Sequence, residues 1–291
     1  MLPLKFRPSL MAVAGSILAI GLFAKTPAPK LEFPQPSQAA TIKQRVGVTD
    51  IEVNYFRPSM RGRKIFGGLE PYGAVWRTGA NNATKITFST AVKFGGTEVP
   101  AGTYALFSIP DQNEWTVIIN KVSGQWGSYA YDEKNDVARA KSKPVATPVP
   151  VESFAIGFSD VSSESATNLY LTWENVRVSV KIEIDTVGIL KPQIEAAMAS
   201  AEKKPYFGAA MFYYENNLDL KQALAWIDAG LAESPDAFWM IYRKGLILEK
   251  SGDKAGAKAA AEQSLALAEK DKRPSLRDEY VRLNKALLSR L

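Results

Sequence analysis

Asn168-Leu169-Tyr170-Leu171-Thr172-Trp173-Glu174 and Val176-Arg177-Val178-Ser179-Val180-Lys181-Ile182-Glu183-Ile184 alternate apolar and polar residues almost without a break. Successive side chains on a strand point to opposite faces, so this period of two predicts two half-buried β-strands. Glu174-Asn175 between them predicts a tight hairpin in which Asn takes a positive φ. The same reading extends upstream. Ile51-Glu52-Val53-Asn54-Tyr55 places Ile, Val and Tyr on one face, and Lys85-Ile86-Thr87-Phe88-Ser89 alternates likewise. Trp115-Thr116-Val117-Ile118-Ile119 ends in a continuous apolar run, which predicts burial on both faces. Phe94-Gly95-Gly96-Thr97 and Pro100-Ala101-Gly102-Thr103 read as turns, the second before a strand from Tyr104 to Ile109. Many short strands without intervening helices predict an antiparallel sandwich or barrel-like domain over residues 41–188.

The period changes after Gly188. Residues 189–291 are rich in Ala, Leu, Lys and Glu and predict an all-α helical-repeat domain. Asp219 and Asp253 lie 34 residues apart, as do Ala223 and Ala257. Leu218-Asp219 and Gly252-Asp253 predict inter-helix turns, followed by amphipathic helices from Leu220 to Glu233 and from Lys254 to Lys270. The spacing resembles tetratricopeptide repeats. Tyr214, Ala223, Gly230 and Pro235 fill the expected positions of one repeat, and Gly245 and Ala257 those of a second. Glu269 stands where the second closing Pro belongs. Ser275 is expected to cap a last helix, Leu276 to Leu291. With about two repeats visible, and ~3 needed for a stable stack, the helical part is expected to pack on the β-domain or on itself.

Residues 1–24 read as a signal peptide or N-terminal anchor. Lys5 and Arg7 precede an uncharged apolar run, Leu10 to Ala24, which is shorter than the ~20 residues of a bilayer span. A Pro-rich linker over residues 25–40 follows. The expected destination is the periplasm or cell envelope of a bacterium. The chain carries +6, but Lys5, Arg7, Lys25 and Lys30 lie in an acid-free first 30 residues, and without them only +2 remains. That balance predicts no nucleic-acid partner, and membrane contact only through an uncleaved N-terminal segment.

There is no His and no Cys. This excludes Ser-His-Asp and Cys-His nucleophiles and the usual zinc sites. No phosphate-binding loop or dinucleotide fingerprint occurs, and neither a cofactor nor a metal is expected. Asp132, Glu133 and Asp136 crowd one segment, fail the calcium-loop spacing, and read as a solvated turn. The densest chemistry lies in Arg57-Pro58-Ser59-Met60-Arg61-Gly62-Arg63-Lys64-Ile65-Phe66-Gly67-Gly68-Leu69 and in Pro71-Tyr72-Gly73-Ala74-Val75-Trp76-Arg77-Thr78-Gly79-Ala80-Asn81. Arg recognises planar carboxylates and phosphates by two parallel hydrogen bonds, and Tyr and Trp stack on sugar rings or on Arg. Arg57, Arg61, Arg63, Tyr72, Trp76, Arg77 and Asn81 are therefore the candidate ligand-binding residues. The bland reading competes: the arginines tie strand ends together, the prolines fix turns and Trp76 is core. Gln125-Trp126-Gly127-Ser128-Tyr129 is a weaker second aromatic segment.

These runs resemble the bacterial domain-of-unknown-function 2911 family. The resemblance spans about residues 31–186. It also rests on Leu31-Glu32-Phe33-Pro34-Gln35-Pro36-Ser37, Gln44-Arg45-Val46-Gly47, Pro100-Ala101-Gly102-Thr103-Tyr104, Trp115-Thr116-Val117-Ile118 and Gln125-Trp126-Gly127. It implies an exported β-rich protein, sometimes with a helical repeat tail, and no activity. The leading expectation is a non-enzymatic module for an anionic or carbohydrate ligand, with a helical tail that meets a protein partner. The alternatives are a carboxylate-dependent glycan hydrolase using Glu70 or Asp132, and a pure protein-interaction scaffold.

Overall fold

The computed structural model describes residues 33–162, 165–200 and 202–291. The expected export segment lies outside them. Among the described residues ten strands form two antiparallel sheets rather than a closed barrel. They are β1 (Gln38–Val46), β2 (Thr49–Arg57), β3 (Thr84–Phe88), β4 (Val92–Phe94), β5 (Thr97–Val99), β6 (Gly102–Ile109), β7 (Trp115–Asn120), β8 (Asp136–Ser142), β9 (Val145–Ser159) and β10 (Ala166–Glu183). The first sheet has the order β1-β2-β3-β6-β7-β8 and the second β5-β4-β10-β9. Val53, Ile86 and Val117 of the first and Phe94, Leu171 and Ile182 of the second share one buried core. Burying such side chains stabilises by about 1.5–3 kcal/mol each.

Strand β7 is buried at all six positions, as its apolar run predicts. Trp115, Val117 and Ile119 face the shared core, while Ile118 joins Ala83, Ala105 and Phe107 on the other side. Val75 and Tyr131 close over this second cluster. Two loops therefore cover the outer face of the first sheet, and they carry the candidate site.

The hairpin predicted at Glu174-Asn175 is absent. β10 is one continuous strand, and both halves pair with β9, through Tyr170↔Gly157 and Val176↔Ala146. The pairing slips on both sides of Glu174, and Glu174 itself, not Asn175, takes the positive φ (53°). Thr172 Oγ1 donates to Val176 O (3.1 Å) across the bend. A bulge inserts an extra residue and reverses which face each later side chain meets. Buried positions accordingly run through Leu169, Leu171 and Trp173, then resume at Val178, Val180 and Ile182.

Six helices follow among the described residues: α1 (Thr186–Ser200), α2 (Tyr206–Glu215), α3 (Leu220–Glu233), α4 (Phe238–Lys250), α5 (Lys254–Ala268) and α6 (Pro274–Leu288). Asp219 accepts from the Lys221 and Gln222 amides and Asp253 from the Gly256 amide, so both predicted turns carry working N-caps. The last helix starts earlier than predicted. Arg273 stands at the N-cap position without a side-chain capping bond, Pro274 occupies the first helical position, and Ser275 lies inside. Proline suits a first position because the N–H it lacks would have no helical partner there. Neighbouring helices pack α2 on α3, α4 on α5 and α5 on α6, with clusters drawn from helical residues such as Ile227, Ile241, Ile247 and Leu287. Among the described residues no helix is long and apolar enough to cross a membrane.

Candidate functional site

Trp76 anchors the site from below. It is 3% exposed and packs among Phe66, Trp115, Phe154 and Trp173. Its indole N–H donates to Gly79 O (3.1 Å), which satisfies the one polar atom that its burial would otherwise strand. The backbone beside it is paired both ways with Ser108, by Trp76 N to Ser108 O (2.7 Å) and Ser108 N to Trp76 O (3.0 Å). Thr78 is also buried. Its hydroxyl shares a hydrogen bond with Ser108 Oγ (2.8 Å), and its carbonyl accepts from Thr84 Oγ1 (2.6 Å). Thr78 is held at φ 56° and Asn81 at φ 56°. A left-handed β-branched residue costs about 1–3 kcal/mol and persists only where its surroundings fix it. The Trp76–Thr84 loop is such a case.

Arg77 therefore projects from a segment whose neighbours on both sides are locked. Its Nε is buried and has no hydrogen-bond partner among the described residues. The second loop comes against it through Ala83 N to Gln125 O (3.1 Å) and Gly127 N to Asn81 O (3.1 Å), with a bridge between Asn82 and Trp126. Gly127, at φ 64°, is where the groups converge. A Cβ there would lie 2.8 Å from Tyr129 Cε2 and 3.2 Å from Arg77 Nη1. No other residue leaves room for the ring and the guanidinium to approach one backbone position together. Tyr129 is 83% exposed and Trp126 64% exposed, so two aromatic faces stand in solvent beside one cation.

Glu70 supplies the acid. Burial pushes its carboxyl up to about 7, against the opposing pull of Arg77 and Arg63. Its backbone closes the Ile65–Glu70 turn by Glu70 N to Ile65 O (2.9 Å) and Gly67 N to Glu70 O (2.9 Å).

The remaining predicted residues do different things. Arg57 Nε donates to Phe154 O (3.0 Å), which ties the end of β2 to β9. Arg63 donates to Met60 O (2.9 Å) and Ser59 O (2.7 Å), bracing its own turn. Arg61 is exposed at φ 50°, and its amide donates to Glu152 Oε1 (2.9 Å). Tyr72, 39% exposed, lies against Gly67, where a Cβ would be 2.5 Å from its ring. Arg57, Arg63 and Arg77 form no salt bridge among the described residues. The structure thus gathers Arg77, Asn81 and the Trp126–Tyr129 segment, places Arg63 near Glu70, and gives Arg57 and Trp76 structural contacts.

The acidic segment is not a solvated turn throughout. Asp132 caps a short 3₁₀ turn, Glu133–Asn135. Asp136 is largely covered and accepts from Asn120 Nδ2 (2.8 Å), Tyr131 Oη (2.6 Å) and Arg139 Nη1 (2.7 Å). Burial, then the Asp136 contact, raises the Tyr131 hydroxyl well above its usual value. This network fastens the second loop to β7 and β8. Among the described residues no group of three or more His, Cys, Asp or Glu is placed to hold a metal ion.

A two-sheet antiparallel module with loops folded over the outer face of one sheet is the class these observations define. Residues 37–182, half of the chain, match the family described as "Protein of unknown function (DUF2911)", and the chain belongs to that family. No curated protein and no solved structure matches it.

Proposed function

We propose that the β-domain is a non-enzymatic binding module for an anionic sugar, working in the bacterial envelope, with the helical region as a protein-interaction tail. One observation carries the ligand assignment. Arg77 and Tyr129 meet over Gly127 beside the exposed Trp126. Aromatic faces stack on sugar rings, and a guanidinium pairs with a ring carboxylate in two parallel hydrogen bonds. A hexuronic acid presents both features a few ångströms apart. Export rests on the charged and apolar N-terminal sequence, and the helical tail's role on its 34-residue spacing.

The test is a thermal-shift titration of glucuronate on the protein and on Arg77→Ala, Tyr129→Ala and Trp126→Ala. Ligand at 100 times its Kd adds ~2.7 kcal/mol to a native protein. Wild type is expected to shift upward and Arg77→Ala to lose the shift while still melting cooperatively. A shift that survives in all three variants would sink the assignment.

A second reading, a glycan hydrolase, draws on Glu70. A carboxyl that titrates near 7 suits a general acid. Its partner would be Glu174, whose Oε2 accepts from Phe66 N (3.3 Å), the residue bridged to Glu70. Hydrolysis of a uronic-acid polymer that vanishes in Glu70→Gln would establish it, and retained hydrolysis would remove it.

A further inference from the structure

A second cleft lies far along the chain from the Arg77 loop, where the end of β8, the turn after it and the bend of β10 meet. It encloses about 520 Å³ and is lined by Ser142, Lys143, Ser159, Asp160, Arg177 and Ser179. That volume falls in the ~300–1,000 Å³ range of small-molecule sites. We propose that it binds a small phosphomonoester carrying hydroxyl groups.

The argument begins with the bulge at Glu174. In an unbroken strand Tyr170 and Arg177, seven positions apart, would face opposite sides of the sheet. The reversal turns both outward, and the bend brings the Arg177 guanidinium to 3.8 Å from the Tyr170 ring centroid. Tyr170 is itself seated. Its ring lies on Gly157 of the neighbouring strand, where a Cβ would collide with Cζ and Oη. Gly157, Tyr170 and Arg177 form a stack that orients the guanidinium before any ligand arrives, and such preorganisation lowers the entropic cost of binding.

The polar groups are open. Among the described residues the side chains of Arg177 and Lys143 make no hydrogen bond and no salt bridge. Asp160 lines the same cleft within electrostatic reach of Arg177, and its Oδ2 accepts from Ser159 Oγ (3.0 Å) and Asn168 Nδ2 (2.9 Å). Its neighbours hold the Asp160 carboxyl below the usual range, the Asn168 and Ser159 hydrogen bonds first.

Ligand class follows from the charges. A phosphomonoester carries about −1.5 to −2 near neutrality, which two cations match better than a single carboxylate would. Asp160 repels a bare anion but accepts from a hydroxyl. The cleft should therefore prefer an esterified phosphate with an adjoining hydroxyl to inorganic phosphate.

Calorimetric titration of the full chain with α-glycerophosphate, inorganic phosphate and glycerol tests this. Expected is saturable binding of α-glycerophosphate, weaker binding of phosphate and none of glycerol. Arg177→Gln and Lys143→Gln should each weaken it roughly tenfold or more, the loss of one charge-assisted contact, at an unchanged melting temperature. Asp160→Asn should bring inorganic phosphate closer to α-glycerophosphate in affinity. Absence of saturation by α-glycerophosphate at millimolar concentration, or wild-type affinity in both cation variants, would overturn the proposal.

Discussion

The two parts of this chain fill their cores with different mixtures of side chains. The β-part fills its core with large rings and branched side chains, among them Trp76, Trp115, Phe154 and Trp173. The helical part mixes large side chains such as Tyr213, Ile227, Ile247 and Leu287 with small ones, and Ala210, Ala223, Ala257 and Ala261 are wholly buried. Backbone strain is divided just as unevenly. Among the described non-glycine residues, Arg61, Thr78, Asn81, Asp160, Ser165 and Glu174 of the β-part have positive φ, whereas Asn217 alone does so in the helical part. Large side chains need loops to close over them, and the loops take conformations that only tertiary contacts hold. Strain of this kind concentrates where proteins act, which supports the proposal that the β-loops bind a ligand.

The largest expected effect tests the first half of that contrast. Trp76→Ala removes the central ring of the aromatic cluster and leaves a cavity below the Arg77 loop. Core aromatic-to-alanine changes cost about 3–5 kcal/mol. Urea unfolding should show a loss of that size, and a loss under 1 kcal/mol would mean that the loop is not anchored by its core. Ala257→Leu tests the other half. Ala257 is fully buried beside Ala260 and Ile241, and overpacking costs about 1–3 kcal/mol. The helical signal should weaken while glucuronate and α-glycerophosphate binding by the β-part stay unchanged. Lost binding in this variant would erase the division between the two regions.

The same contrast explains what could be read from the sequence. The 2.0 and 3.6 residue periods report burial directly, so the strands, the apolar β7 and the two Asp-capped helices were legible. The bend in β10 was not. Glu174-Asn175 has turn chemistry, but whether it closes a hairpin or bulges a continuous strand depends on β9, whose pairing no local pattern encodes. Arg57 and Arg63 were over-read for a similar reason. A guanidinium looks alike in sequence whether it meets a ligand or the carbonyls of Phe154, Ser59 and Met60. Arg77 stands apart only through burial of its Nε and the approach of Gly127 and Tyr129 from 50 residues downstream. Arg177, Tyr170 and Asp160 were missed entirely. Their one sequence signal is Gly157 inside an otherwise substantial strand, a mark of close approach by a ring or backbone.

Glu70 yields an intermediate effect with a definite sign. Its folded-state pKa, about 7, lies above the ordinary 4.5. The folded protein therefore holds this proton more tightly than the unfolded chain does. That contribution is fully present below about pH 4.5 and is lost as pH rises through 7. Solvent reaches part of the carboxyl, so about 1–2 kcal/mol is expected rather than the full shift. Stability should decline by that amount between pH 5 and 8, and Glu70→Gln should flatten the decline. In the helical part Glu249 is held below the usual range by the Arg290 pair, so Glu249→Gln should leave the same window unchanged. An unaltered slope in Glu70→Gln would place the proton elsewhere.

The smallest expected changes in stability are the most discriminating. Thr78 and Asn217 have nearly the same backbone, φ 56° and φ 54°, one in each region. Glycine at either position relieves the left-handed strain. At Asn217, in the turn after α2, nothing else depends on the side chain, and Asn217→Gly should change stability by less than about 0.5 kcal/mol. At Thr78 the gain is offset by loss of the buried hydroxyl pair with Ser108 (2.8 Å), worth about 1 kcal/mol, so the net change is again small. The consequences for binding differ. Thr78→Gly frees the one bond that separates Arg77 from the locked Thr78–Ser108–Thr84 contacts, and a loosened guanidinium must be ordered anew by each ligand. Glucuronate affinity should fall several-fold in Thr78→Gly and stay constant in Asn217→Gly, although the two proteins melt alike. Equal affinity in both would show that the strained loop is only a way of covering β6 and β7. A loss confined to Thr78→Gly would show that the strain is retained because it aims Arg77.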